Sequence, residues 1–251
     1  MYKSTLDNIC KASDNRVMRN ICSISQSLEP KSLIESWEWT PESAYILGFF
    51  AADGTMTINP RGSKYIEFVS NDYEILEKVC GLLGASQKIS TKTRLYETSA
   101  LTYRVQIGSK YLFDKFTELG FLPNKSKVLK FPELPKDLIR HFVRGYFDGD
   151  GCVSYRLQLD KRYNKLRQFL TIRFICGNRH FLEELQHVLR ISAQIGSGSI
   201  SRSTRSYQLQ YRMKDSIILF GYFYKNVSEC FLIRKHQILK KAVDEISGGV
   251  V

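Results

Sequence analysis

Two acidic residues stand at matching places in two copies of one motif. Ile46–Gly54 reads ILGFFAADG and Val143–Gly151 reads VRGYFDGDG, so Asp53 and Asp150 each precede a glycine that closes an apolar, helix-like run. Two carboxylates brought side by side repel each other unless a cation lies between them. A helix C-terminus adds its own negative dipole and favours the same cation. Carboxylate oxygens are hard ligands and suit Mg²⁺ better than a soft metal, with Mn²⁺ or Ca²⁺ able to substitute in binding. A metal held this way lowers the pKa of a bound water and stabilises the attacking and leaving oxygens of a phosphodiester. Asp53 and Asp150 are therefore the candidate metal ligands of a phosphodiester hydrolase.

The two acids can meet only if their helices do. Glycine inside a helix costs about 1 kcal/mol relative to alanine. Gly48, Gly145 and Gly149 nevertheless interrupt the two motif helices. Gly48 with Ala52, and Gly145 with Gly149, are four residues apart and share a face. Small residues on that face let two backbones approach closely. The first helix has a clear start at Thr40-Pro41-Glu42-Ser43, with Thr40 as N-cap and Pro41 at the first helical position. It stops at Gly54, a residue type favoured just past a helix C-terminus. The second begins near Pro135-Lys136-Asp137 and stops at Gly151.

After each motif the periodicity changes from helix to strand. In the first half, strands over Thr55–Asn59 and Lys64–Val69 precede a helix over Tyr73–Leu83. Strands over Gln87–Tyr96 and Leu101–Ile107 then precede a helix over Lys110–Leu119. The second half repeats the order: strands Cys152–Leu159 and Phe169–Cys176, helix Arg179–Leu189, strands Ile195–Ser201 and Tyr207–Met213, helix Ser216–Tyr224. The expectation is an α+β fold of two pseudo-symmetric αββαββα repeats, with antiparallel DNA-binding sheets and the motif helices packed at the repeat interface. Residues 1–39 are a leader without assigned function, 40–124 the first repeat, 125–135 a linker and 136–251 the second repeat.

A net charge of +12 points to a polyanionic partner. The excess is uneven: net +3 over residues 41–140 and +9 over residues 141–251. Several strands alternate apolar residues with long polar ones. Glu67, Arg104 and Gln106 do so in the first half; Arg156, Gln158, Arg173, Gln208, Gln210 and Arg212 do so in the second. Arg and Gln are the side chains that read guanine and adenine edges in the major groove, which admits a two-stranded ribbon. Turn and loop residues add phosphate-type contacts: Arg61, Lys64, Lys88, Lys92 and Arg94, then Lys161, Arg162, Lys165, Arg167, Arg202 and Arg205.

Other chemistries fit less well. The six cysteines form no CxxC pair and the four histidines no HExxH, which argues against zinc and suits a reducing, intracellular setting. The stretch Asp148-Gly149-Asp150-Gly151 is not an EF-hand loop, because Cys152 and Val153 stand where an oxygen ligand and a glycine are needed. The longest uncharged apolar run, Ala44–Ala52, is too short to span a bilayer, so no membrane role is expected.

The paired motifs, their spacing and the double αββαββα pattern resemble the LAGLIDADG homing endonucleases of the single-chain type, over roughly residues 40–245. The resemblance implies a monomer that cleaves both strands of a long, imperfectly palindromic DNA site and leaves 3′ overhangs. It implies that Asp53 and Asp150 bind the catalytic metal. Ala51 departs from the family pattern where the second copy keeps Asp148, at a position with a structural role in the family. The resemblance also implies a basic residue near each metal. Lys125 and Lys235 share the spacing Lys-x-x-x-Leu and are the candidates, with Lys127 and Arg234 as competitors. Ser70, Asn71, Gly177 and Asn178 fall where the family has polar supporting groups. The alternative on the same scaffold is an RNA maturase acting on its own intron, or a DNA-binding protein without cleavage. An origin inside a self-splicing protein is disfavoured, since no splicing-type Cys and His-Asn termini are present. Every nucleic-acid reading carries one consequence: affinity for duplex DNA falls by about 10³-fold or more between about 50 mM and 200 mM salt. A filter-binding titration with a flat salt response would exclude them all.

Overall fold

The structure, a computed structural model, describes residues 32–92, 101–123, 128–161, 163–226 and 230–248, with Lys92 by its backbone alone. Most of the expected leader, and the candidates Lys125, Lys127, Arg94 and Arg162, lie outside the described residues. The elements below belong to one compact unit that starts at Leu33.

Helix α1 (Pro41–Asp53) opens with a reciprocal cap. Ser43 N–H donates to Thr40 Oγ1 at 3.1 Å and Thr40 N–H to Ser43 Oγ at 2.9 Å. Residues Ser43–Ala51 are all buried, as expected of a helix with apolar residues all round. Strands β1 (Gly54–Ile58) and β2 (Lys64–Ser70), helix α2 (Tyr73–Leu83), strands β3 (Ser90–Lys92) and β4 (Thr102–Gly108) and helix α3 (Lys110–Glu118) complete the first repeat. The second repeats this order. A 3₁₀ turn leads into α4 (Ile139–Asp150), then β5 (Gly151–Asp160), β6 (Lys165–Cys176), α5 (Arg179–Ser192), β7 (Ser199–Arg202), β8 (Tyr207–Arg212) and α6 (Met213–Tyr224). A further helix, α7 (Ile233–Gly248), follows.

Each repeat holds one four-stranded antiparallel sheet, in the orders β1-β2-β4-β3 and β5-β6-β8-β7. Helices cover one face of each. In the first repeat Phe50 of α1 packs on Phe68 of β2 and Phe116 of α3, with ring centroids 5.5 and 4.6 Å apart. In the second, Phe147 of α4 packs on Phe174 of β6 and Phe223 of α6 at 5.9 and 5.2 Å. Aromatic clusters of this kind dominate core energetics. The last residues of the expected leader join this core. Trp37 is buried against Phe116, and its backbone N–H donates to the Tyr111 hydroxyl at 2.6 Å.

The structure moves several element bounds. β6 starts at Lys165, not Phe169, because the β5–β6 ladder runs to Asp160↔Lys165. Helix α6 starts at Met213, directly after β8. Both motif helices end at the expected glycines. Gly54 and Gly151 have φ −89° and extended ψ, so neither is a left-handed cap. Each is instead pressed by the aromatic ring four residues earlier: a Cβ would strike the Phe50 ring in one copy and Phe147 in the other. The strand therefore leaves the helix without an intervening loop, and the acid ahead of it is fixed at the junction.

α1 and α4 meet backbone to backbone. A Cβ on Gly48 would fall on the Phe142 carbonyl oxygen and lie 2.9 Å from Tyr146 N. A Cβ on Gly145 would fall on the Tyr45 carbonyl oxygen and lie 2.8 Å from Phe49 N. The obstacles are backbone atoms, so no rotamer change relieves them. Gly81 in α2 faces open space. Gly48→Ala is expected to cost about 1–3 kcal/mol, towards the upper end, while Gly81→Ala is neutral or stabilising by up to about 1 kcal/mol. Urea midpoints of the two variants measured side by side check this; equal midpoints would mean that the helix pair is not in backbone contact.

Candidate active site and nucleic-acid interface

Asp53 is the last residue of α1 and Asp150 the last of α4, so the helix crossing delivers both to one end of the pair. Gly149 makes room for this. A Cβ there would fall on the Ala52 methyl and lie 3.1 Å from Asp53 Oδ2. Asp53 thus rests against the last turn of the opposite helix. Both acids are felt at buried Tyr146, whose phenol pKa is raised first by burial, then by Cys176 and by Asp150 and Asp53.

Lys235 belongs to the same region but points at backbone. It is buried, and its Nζ donates to the carbonyls of Phe147 (2.6 Å), Asp148 (2.7 Å), Gly149 (3.3 Å) and Gly151 (2.7 Å). These carbonyls lie at the end of α4 and the start of β5, and that of Phe147 also accepts the Gly151 N–H. An ammonium there complements the helix dipole. Burial pushes the Lys235 pKa down, against the pull of Asp148 and Asp53. The competitor Arg234 is turned elsewhere: its guanidinium takes both oxygens of Asp72, at 3.3 and 3.0 Å, across the repeat boundary.

Sequence reasoning missed a buried polar cluster beside this centre. Asp148 Oδ2 accepts from the Tyr45 hydroxyl and from Leu232 N–H, each at 2.8 Å, and so staples α1, α4 and the approach to α7 together. Burial raises the Asp148 pKa, with Lys235 and the Leu232 N–H opposing. Arg144 is 1% exposed and donates to the carbonyls of Cys230 (3.0 Å) and Phe223 (3.2 Å). The signal was present: an arginine inside an apolar helix run must find buried acceptors. Ala51 occupies the corresponding place in α1, so the first repeat has no matching carboxylate.

The donor set fits a hard divalent cation. Two half-buried carboxylates stand at helix C-termini, and among the described residues no group of three or more His, Cys, Asp or Glu could hold a metal. Asp53 and Asp150 are the residues that would hold such an ion, and their oxygen donors suit a hard cation better than a soft one.

The strand register sorts the polar residues by face. In the first sheet Thr55, Glu67 and Gln106 form one row and Arg104 pairs with Ser90 in the next, all on the face away from the helices. In the second sheet Cys152, Arg173 and Gln210 form the row beside the acid, then Ser154, Thr171 and Arg212, with Arg156 and Gln158 beyond and Gln208 on the inner side. A cavity of about 400 Å³ opens on this face, lined by Arg156, Thr171, Arg173, Gln210 and Arg212. Arg61, Lys88, Lys161, Lys165 and Arg205 are exposed. Two expected contacts depart from the pattern. Lys64 shares a row with Ile58 on the helix side, where it pairs with Asp114 and lies over the Phe113 ring at 5.0 Å. Arg202 shares its row with Tyr207 and Cys176, also on the helix side, though its position is exposed. Both readings took turn position as a guide, and strand parity overrode it. Glu67 is held by Arg104 at 3.5 Å. Asn71 accepts from Thr102 at 2.9 Å, and Asn178 caps α5 and reaches the Leu129 carbonyl at 2.8 Å.

The family model described as LAGLIDADG-like domain matches residues 40–119 and again residues 137–220. The chain belongs to this family. Its two repeats lie on one polypeptide, with an α+β fold and a four-stranded antiparallel sheet in each. Solved structures share this architecture. The LAGLIDADG homing endonuclease I-LtrWI, bound to target DNA, is 13% identical with a TM-score of 0.55, covering 83% of this chain and 91% of that one. The LAGLIDADG meganuclease I-AabMI, bound to uncleaved DNA, is 14% identical with a TM-score of 0.55, covering 84% and 92%. The homing endonuclease I-WcaI, bound to its DNA recognition sequence, is 17% identical with a TM-score of 0.52, covering 86% and 94%. At such identities the likeness is one of fold. Two curated relatives come from Methanocaldococcus jannaschii. DNA-directed RNA polymerase subunit Rpo1C is 28% identical over 148 residues, covering 57% of this chain and 16% of that protein. Glutamine–fructose-6-phosphate aminotransferase (isomerizing) is 28% identical over 146 residues, covering 54% and 13%. The chain thus matches only a small part of either relative's length.

The cluster beside Asp148 sets a pH dependence. His141 is 4% exposed, and burial together with the Arg144 and Arg140 guanidinia lowers its pKa to about 4. The unfolded chain binds this proton near pH 6.5 and the folded chain does not until about pH 4. Stability from His141 is therefore full above pH 6.5 and is lost as pH falls towards 4, by at most about 3 kcal/mol. Denaturant unfolding at pH 7 and pH 4.5 should show a steeper acid loss in the wild type than in His141→Gln; parallel slopes would contradict a neutral buried imidazole.

Proposed function

We propose that this protein is a site-specific DNA endonuclease that hydrolyses both strands of a long duplex target with divalent-metal help. The observation that carries the reading is the meeting of Asp53 and Asp150 at one end of a glycine-packed helix pair, with a polar sheet face on either side. Duplex DNA lying on the two sheets would present its grooves to the Arg and Gln rows and its central phosphates to the acids. Mg²⁺, held by Asp53 and Asp150, would supply an activated water and stabilise charge on the phosphate oxygens. Lys235 would contribute by fixing the backbone on both sides of Asp150, which keeps that carboxylate at the helix end. The pseudo-two-fold frame gives each strand its own acid, so double-strand scission and 3′ overhangs follow from the family likeness. A monomer suffices, because both repeats are on one chain.

The curated relatives support a portable module. The same kind of segment occurs in two proteins of unrelated name, so it tracks neither of their activities. The test is a cleavage selection on a randomised or genomic duplex library with Mg²⁺. The wild type should yield one preferred long site. Asp53→Asn and Asp150→Asn should each cut double-strand cleavage by at least about 10³-fold while changing affinity for that site by less than about tenfold. Full cleavage by either variant overturns the assignment of the acids; binding without cleavage by the wild type returns the protein to the DNA-binding or maturase class.

A further inference from the structure

The hairpins that follow the two motif helices are unequal. β1 and β2 have 5 and 7 residues, β5 and β6 have 10 and 12. The first hairpin closes at Ile58↔Lys64 over the turn Asn59–Ser63. The second passes the equivalent pair, Tyr155↔Leu170, and continues from Arg156↔Phe169 to Asp160↔Lys165. At about 3.3 Å per residue this arm reaches roughly 17 Å further. B-DNA rises about 3.4 Å per base pair, so the extra reach corresponds to about five base pairs.

The arm is aimed and stands outside the core. At its base the Tyr155 hydroxyl donates to Glu245 Oε2 at 2.6 Å, and Gln168 Nε2 donates to the Glu245 carbonyl at 3.3 Å, so α7 braces it from behind. Further out on that same side Leu157, Leu159 and Leu166 are 60%, 48% and 68% exposed. The opposite side carries Arg156, Gln158, Lys165 and Arg167 in continuation of the Arg173–Gln210 face. Arg167 is partly engaged by Asp160 at 3.3 Å and lies 4.5 Å from the Tyr163 ring centre. A two-stranded ribbon with its basic and amide side chains on one face has the width and the chemistry of a major-groove reader.

We propose that the β5–β6 arm is a specificity element that lengthens one half of the target, reading about five base pairs beyond the reach of the β1–β2 hairpin. This rests on the endonuclease reading and adds a polarity to the site: the longer half lies under the second repeat. The probe is the duplex that the wild type selects, cleaved or bound with Ca²⁺ in place of Mg²⁺. In one variant residues 156–169 are replaced by the five-residue turn of the first hairpin. In a second, Arg156→Ala and Gln158→Ala are combined in the intact arm. Thermal unfolding confirms that each variant folds, and the second keeps the inference testable if the first does not. The shortened arm should lose nuclease protection and base preference at the outer positions of one flank only. Its affinity should fall about tenfold or more at about 0.15 M salt, with a shallower salt slope. Arg156→Ala with Gln158→Ala should relax preference at those outer positions and leave the inner ones unchanged. Unchanged protection and consensus in both variants, or loss on both flanks, overturns the arm's role while leaving the endonuclease intact. Failure of the wild type to select any duplex overturns the endonuclease reading itself.

Discussion

Everything in this fold depends on the direct contact between the backbones of α1 and α4. Gly48 lies on the Phe142 carbonyl and Gly145 on the Tyr45 carbonyl, a reciprocal pair related by the pseudo-two-fold axis. Ordinary helix packing keeps axes about 8–10 Å apart because side chains interdigitate. Here the side chains are absent at the crossing, and the gain is dispersion between close-packed backbones plus complete burial of the flanking aromatics. That geometry leaves little freedom for the helix ends, so Asp53 and Asp150 arrive together whatever the sheets do.

The cost of that convergence is electrostatic. Two helix C-termini bring their carbonyls and two carboxylates to one place. The second repeat meets part of this demand internally. Lys235 Nζ lies within hydrogen-bond distance of four backbone carbonyls, which places a positive charge behind Asp150. On the chain approaching α7, Arg144 donates to the Cys230 carbonyl and Asp148 accepts the Leu232 N–H. A place of this kind, with two helix C-termini and two carboxylates, favours a cation over a further anion.

The frame was legible in the sequence because it rests on local rules. Thr40 with Ser43 marks a helix start, small residues four apart mark a face, and Arg104/Gln106 or Gln208/Gln210/Arg212 alternate with apolar neighbours. What could not be read depends on partners distant in the chain. Nothing local says that Lys235 will meet carbonyls 84 to 88 residues away, or that Arg234 will take Asp72 at a separation of 162 residues. Lys64 and Arg202 lie on the helix side for a related reason: at strand ends a one-residue difference in register moves a side chain to the other face. The glycine after each acid ends its helix as the sequence indicates, but the reason it must be glycine, clearance from Phe50 and Phe147, depends on packing that the sequence does not display.

Having both repeats on one chain removes a constraint that a homodimer would impose. In a symmetric dimer each groove-facing row is duplicated, and the target must be palindromic to match it. Here equivalent rows have diverged: Thr55, Glu67 and Gln106 on one side face Cys152, Arg173 and Gln210 on the other. A carboxylate and a guanidinium at the same position favour different base edges, because one only accepts and the other only donates. The divergence stops at the helix crossing, where Gly48 and Gly145 remain interchangeable. The repeats differ where side chains line the open sheet faces and match where one backbone meets another.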